Sequence, residues 1–129
     1  RQLRTLTSAT GVACIGIGTY HFLLGSASVP GEDAADATVD SRERFYAAIF
    51  AGYGAAWMRA ARRPIAAADV RVLSGLMVAG GIGRLISVAR TGRPHWFQDV
   101  LTAVEFVVPG VLLALAEAGR ASSRPSPGT

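Results

Sequence analysis

The chain has 129 residues, half of them hydrophobic, and sets 13 basic residues, all Arg, against 9 acids for a net charge of +4. So much apolar surface is hard to hide in a soluble domain of this size, whereas lipid asks for no hiding. The Arg residues fall mainly between apolar runs and do not gather with aromatic and polar side chains on one face, which argues against nucleic acid as a partner and assigns the charge to membrane topology.

Four apolar segments follow in order, each near the roughly 20 residues that cross the hydrocarbon core as a helix. The first covers residues 5–25 and contains Cys14, Tyr20 and His21. A single cysteine excludes an intrachain disulfide, and within an apolar run it reads as a small packing residue. Residues 26–42 form the long connection, with Pro30-Gly31 and the acids Glu32, Asp33, Asp36 and Asp40. Asp40-Ser41 reads as the N-cap of the second helix, residues 43–60, with Glu43 in its first turn. The third segment, residues 70–89, carries Arg84 within an otherwise apolar stretch. The fourth, residues 97–118, carries Glu105 and also Pro109, which predicts a kink and frees a carbonyl one turn earlier. Residues 121–129, rich in Ser and Pro, read as a disordered tail. The expected fold is all-α, a bundle of four transmembrane helices.

Orientation follows from Arg placement. Arg1, Arg4, Arg59, Arg62, Arg63, Arg71, Arg120 and Arg124 flank one side, and Arg42, Arg44, Arg90 and Arg93 the other. The bias puts both termini in the cytoplasm of a bacterial inner membrane and turns the acidic first loop outward. Tyr20, Phe45, Tyr46 and Trp96 are expected at the outer interface and Trp57 at the inner one. Two other readings stay open. Arg1 to Arg4, an apolar run and Ser26-Ala27-Ser28 resemble a cleavable signal peptide, and an Ala-rich soluble bundle has the same helical periodicity.

Apolar side chains give no drive for helix association in lipid, so small residues at four-residue spacing mark the expected contact faces. Ala48, Gly52 and Ala56 form such a row on the second helix, and Gly75, Ala79 and Gly83 on the third. Gly80-Gly81-Ile82-Gly83 is no dinucleotide fingerprint, since it lies mid-helix with no strand before it.

A charge in hydrocarbon needs a partner or a polar cavity. At 1.5 Å per residue, Arg84 lies roughly 9 Å below the outer end of its helix, Glu105 roughly 12 Å below the start of the fourth, and His21 roughly 6 Å below the end of the first. Similar heights suggest one cluster of His21, Arg84 and Glu105, with an ion pair locking helix three to helix four. The same residues would also suit a proton relay, an anionic-ligand site or a catalytic pair. No nucleophile, metal-ligand set or cofactor motif accompanies them. At the outer rim, Asp40, Arg44 and His95 form a second group: Arg44 could reach towards Glu105, and His95 with Trp96 reads as an interface anchor.

These residues resemble a family. Tyr20-His21-Phe22, Val29-Pro30-Gly31, Asp40-Ser41, Arg44-Phe45-Tyr46-Ala47 and Gly52-Tyr53-Gly54 look like the first half of the bacterial membrane proteins grouped as domain of unknown function 4345. Gly80 to Ser87, Gly92-Arg93-Pro94, and Glu105 with Pro109 resemble the second half. The resemblance implies a four-helix integral membrane protein and carries over no catalytic residues. Arg-rich, Lys-free composition suggests a high-GC bacterium such as an actinobacterium, where small four-helix proteins serve as accessory subunits of Mce-type lipid importers. That link is analogy alone. The expected function is a non-enzymatic accessory subunit of a larger inner-membrane complex, in contact with membrane lipids. The alternative is a small protein that binds or isomerises a lipid or quinone.

Overall fold

The computed structural model describes residues 1–31, 36–62 and 64–122. Expectations that rest on Glu32, Asp33, Arg63, Arg124 and the tail beyond Ser122 lie outside the described residues. Four α-helices make up the described fold: α1 (Gln2–Leu24), α2 (Ala37–Ala60), α3 (Ala67–Thr91) and α4 (Trp96–Ser122). A short 3-10 turn, Gly25–Ser28, follows α1.

Helix ends follow local chemistry. α1 stops at Gly25, whose φ of 62° only glycine adopts without strain and whose N–H bonds His21 O. α2 begins well before the apolar run. Its N-cap is Asp36, which accepts from Thr38 N at 2.8 Å and Val39 N at 2.9 Å. Asp40-Ser41, the cap expected from sequence, therefore lies inside the helix, because an earlier Asp already satisfies the free amides. His95 caps α4: its Nδ1 accepts from Phe97 N at 3.3 Å and its carbonyl accepts from Gln98 N at 2.8 Å. α4 runs unbroken through Pro109, which is fully enclosed.

The helices pair as two hairpins, α1 with α2 and α3 with α4. Backbones meet closely in the first. A Cβ on Gly54 would stand 2.7 Å from Gly11 O, and one on Gly18 would stand 2.6 Å from Ala51 N. The contact row of α2 is thus Ala47, Ala51 and Gly54. In the second hairpin Gly81 has this role, with the Phe106 ring 2.7 Å from its Cβ position.

The rows expected to pack face elsewhere. Gly75, Ala79 and Gly83 are exposed on α3, diametrically away from buried Leu73 and Ser74. Ala48 and Gly52 are exposed on α2, and Ala56 alone touches the core. Among the described residues, nothing beyond the helix's own neighbouring backbone lies within 4 Å of a Cβ built on Gly52, Gly75 or Gly83. One residue of offset turns a helix by about 100°, so the neighbouring rows took the contacts instead.

Between the hairpins, Cys14, Trp57, Ala60, Val70, Leu73 and Leu112 form one buried cluster. Most of it lies toward the end where α1 and α3 begin. Trp57 belongs here, fully enclosed, and is not the interface anchor expected from sequence. Its place one turn after Tyr53, whose hydroxyl donates to Leu73 O at 2.5 Å, turns it toward α3. Arg59 with Asp69 at 3.5 Å and Arg71 with Glu117 at 3.4 Å tie the same end.

α3 and α4 are each long and apolar enough to cross a membrane, and only 22% and 17% of those stretches is buried within the bundle. A helix at the heart of a soluble core would be mostly enclosed. α1, with Thr5, Thr7, Ser8 and Thr10, and α2, which opens on Asp40, Arg42, Glu43 and Arg44, are less apolar.

Candidate functional site

Arg84 and Glu105 meet. The Nε of Arg84 donates to Glu105 Oε1 at 3.0 Å and Oε2 at 2.9 Å, and its Nη1 donates to Gln98 Oε1 at 2.5 Å. Gly81 makes the approach possible: a Cβ there would stand 2.7 Å from the Phe106 ring and 3.3 Å from Glu105 Cβ, whereas one on Gly80 would make only ordinary contact with Glu105 Oε1 at 3.8 Å. The pair joins α3 to α4. Gln98 is the member that sequence reasoning missed. The signal was available, since Gln98 and Glu105 are seven residues apart and so share a helix face.

The remaining capacity of this cluster is mostly donor. A guanidinium has five N–H groups and a primary amide two. Arg84 Nη2 and Gln98 Nε2 have no hydrogen-bond partner among the described residues. The pair is formally neutral, and the two side chains are 35% and 21% exposed. Pro109 has no N–H, so the backbone carbonyl it frees is that of Glu105 itself.

His21 is not part of this cluster. Its Nδ1 lies 2.5 Å from Ser28 Oγ, and Ser28 Oγ donates to Gly25 O at 2.6 Å. A hydroxyl has one proton, and Gly25 holds it. Ser28 therefore accepts from His21 in the tautomer that has its N–H on Nδ1, the reverse of the direction that would activate a serine nucleophile. Similar depth placed His21 at the right height, but α1 turns it toward its own C-terminal turn.

Arg44 also stays on its own hairpin instead of reaching Glu105. Its Nε donates to Asp40 Oδ2 at 2.8 Å, and its Nη1 donates to Phe22 O at 2.8 Å and Leu23 O at 3.0 Å. These are carbonyls that α1 leaves open at its end, so Arg44 closes that helix. Asp40 Oδ1 accepts from Ser26 N at 3.0 Å. His95 lies beside Gly31, whose φ is 84° and whose Cβ position is 2.8 Å from His95 Cβ. The first loop thus touches the α3–α4 connection. Together these residues clasp the helix ends where α1 and α3 finish and α2 and α4 begin.

The clasp has a pH signature. The Arg44 guanidinium bonded to Asp40, followed by the Ser26 N–H, holds the Asp40 carboxyl below the usual carboxylate range. A lowered folded-state value means that Asp40 stabilises the protein at neutral pH. That contribution fades as acid passes below about pH 4 and through the folded value. The thermal midpoint in mild detergent should therefore fall between pH 5 and pH 3 in the wild type, and should fall less in Asp40→Asn. Equal slopes would place the acid sensitivity elsewhere.

Exposure rises along one face of α2 toward its start. Tyr46, Phe50, Tyr53, Trp57 and Ala60 share one face of α2. Trp57 and Ala60 are fully enclosed between the hairpins, Phe50 is 37% exposed and Tyr46 57%. On α4, Glu105 shares a face with buried Pro109, Leu112 and Ala116. Its carboxylate is held by Arg84 of α3.

The profile of a family described as a domain of unknown function (DUF4345) matches residues 2–116. No curated protein and no solved structure gives a significant match.

Proposed function

The chain belongs to the DUF4345 family, and on that premise we propose that it is a four-span inner-membrane protein that serves as a non-enzymatic accessory subunit of a larger membrane complex. α1 and α2 have 23 and 24 residues, enough for the roughly 30 Å hydrocarbon core at 1.5 Å per residue. The polar residues of α1 suit lipid, because Thr7 and Thr10 return their hydroxyls to Leu3 O and Leu6 O at 2.7 and 2.9 Å. Arg placement favours both ends of the chain on the cytoplasmic side.

The observation that carries the accessory role is the outward direction of the small-residue rows. Gly75, Ala79 and Gly83 on α3, and Ala48 and Gly52 on α2, have the spacing that lets helix backbones approach in lipid, yet the bundle itself does not use them. A second protein's helices can. The partner class proposed is a larger transport subunit, and by analogy a lipid importer of the Mce type is the first assembly to examine.

Affinity purification from native membranes after mild cross-linking tests this. Stable recovery with larger membrane subunits, lost in a Gly75→Leu/Gly83→Leu variant that still folds, is the expected result. Recovery of the chain alone, unaltered by that variant, contradicts it.

A further inference from the structure

Charge is shared unevenly between the two ends of the bundle. At the end where α1 and α3 begin, the described residues set Arg1, Arg4, Arg59, Arg62, Arg71 and Arg120 against Asp69 and Glu117 alone. Arg59 is held by Asp69, and Arg71 and Arg120 share Glu117. Arg1, Arg4 and Arg62 are exposed, and their guanidinium groups have no partner among the described residues. At the other end, Arg42, Arg44, Arg90 and Arg93 are balanced by Asp36, Asp40, Glu43 and Asp99.

The register of the first hairpin brings these unpaired groups to one level. Gly18 meets Ala47, and Gly11, seven residues earlier, meets Gly54, seven residues later. One more step of seven carries Arg4 to the level of Ala61, the residue before Arg62. Arg1 and Arg4, three residues apart, are neighbours at the start of α1, where like charges repel. Beside them opens a groove of about 350 Å³, lined by Arg1, Gln2, Thr5, Leu6 and Ala9. Its lining is charged and polar at the helix end and apolar one turn further in. The Thr5 hydroxyl already donates to Arg1 O at 3.2 Å, so the wall beyond Gln2 asks for no polar partner. Val12, 60% exposed, and Gly16, whose built Cβ meets nothing beyond its own helix within 4 Å, continue the face of Thr5 and Ala9 along α1.

A phosphate completes unpaired guanidinium groups, because it accepts from their N–H groups in charge-assisted bonds. An apolar track that leads away from that charge along a membrane helix suits an acyl chain and gives nothing to a free phosphate or a nucleic acid. We propose that this end of the first hairpin is a docking surface for an anionic phospholipid, its headgroup on Arg1, Arg4 and Arg62 and an acyl chain along Ala9, Val12 and Gly16. The proposal rests on the membrane placement above and not on the accessory role.

Electron spin resonance of the full chain in phosphatidylcholine bilayers, with trace spin-labelled phosphatidylglycerol or spin-labelled phosphatidylcholine, tests this. A preference of about fivefold for the anionic label at low salt, the scale of one arginine beside one charged headgroup, is the expected result. It should fall to near parity in Arg4→Gln/Arg62→Gln and survive in Arg42→Gln/Arg90→Gln at the balanced end. High salt should weaken it, since exposed charges are screened. All four replaced residues are exposed, and circular dichroism confirms that both variants keep the fold. Equal restriction of the two labels by the wild type, or equal loss in the two double variants, overturns the proposal alone. Restriction of neither label, with release of the chain from membranes by alkaline carbonate, overturns the membrane placement and the proposal with it.

Discussion

Glu105→Leu should lower stability by about 2–3 kcal/mol, and Arg84→Leu by a similar amount, whereas the double replacement should cost well under either. Removing Glu105 leaves the Arg84 guanidinium with Gln98 alone for support in a helix long and apolar enough to cross a membrane. An uncompensated central Arg costs about 2.5–3.5 kcal/mol on insertion scales. The lower end applies because the pair is 35% and 21% exposed and a long side chain can reach outward to the interface. Two leucines remove both charges together and leave Gln98 the group without its partner. The measurement is membrane accumulation of each variant with its thermal midpoint in detergent. Additive losses in the double variant would mean that each charge has its own partner and that the pair does not act as a unit.

The second large effect separates two kinds of glycine. Gly18→Ala and Gly54→Ala should each cost about 1–3 kcal/mol, as overpacking does. The added methyl would meet backbone, Ala51 N at 2.6 Å for Gly18 and both Gly11 O and Ile15 N at 2.7 Å for Gly54. Backbone cannot rotate aside, so α1 and α2 must part. Gly52→Ala and Gly75→Ala meet nothing within 4 Å, and the exchange in a helix interior should leave the isolated protein unchanged or up to about 1 kcal/mol more stable. Thermal midpoints of the four variants check this. Equal losses at all four positions would mean that the outward rows pack within the bundle. If Gly75→Ala weakens partner recovery while leaving the isolated protein intact, the accessory role gains its most direct support.

Sequence periodicity was enough to find four helices and to pair Arg84 with Glu105, because a charge in an apolar run admits few solutions. The pairing was legible; direction around the helix axis was not. His21 bonds the turn after α1, whereas Arg84 bonds α4. The same ambiguity misplaced the small-residue rows. α2 contains both Ala47 and Ala51 and the adjacent Ala48 and Gly52, and spacing alone cannot rank two neighbouring rows when lipid gives no hydrophobic preference for either. Asp36 is not legible as the cap of α2 because it precedes the apolar run by a polar first turn, which is ordinary outside lipid. Gln98 was overlooked because an uncharged amide near a helix start looks unremarkable until its guanidinium partner is placed.

The proposed topology requires all four helices to cross the membrane, including α1 and α2, which are less apolar than α3 and α4. Single cysteines at Ala37, Arg62, Thr91 and Ser122, introduced with Cys14→Ala and probed with a membrane-impermeant maleimide on intact spheroplasts, measure this directly. Labelling of positions 37 and 91 from outside, with 62 and 122 labelled only after permeabilisation, is the predicted result. Labelling of 37 and 62 from the same side would contradict it and leave α3 and α4 as the only spans among the described helices.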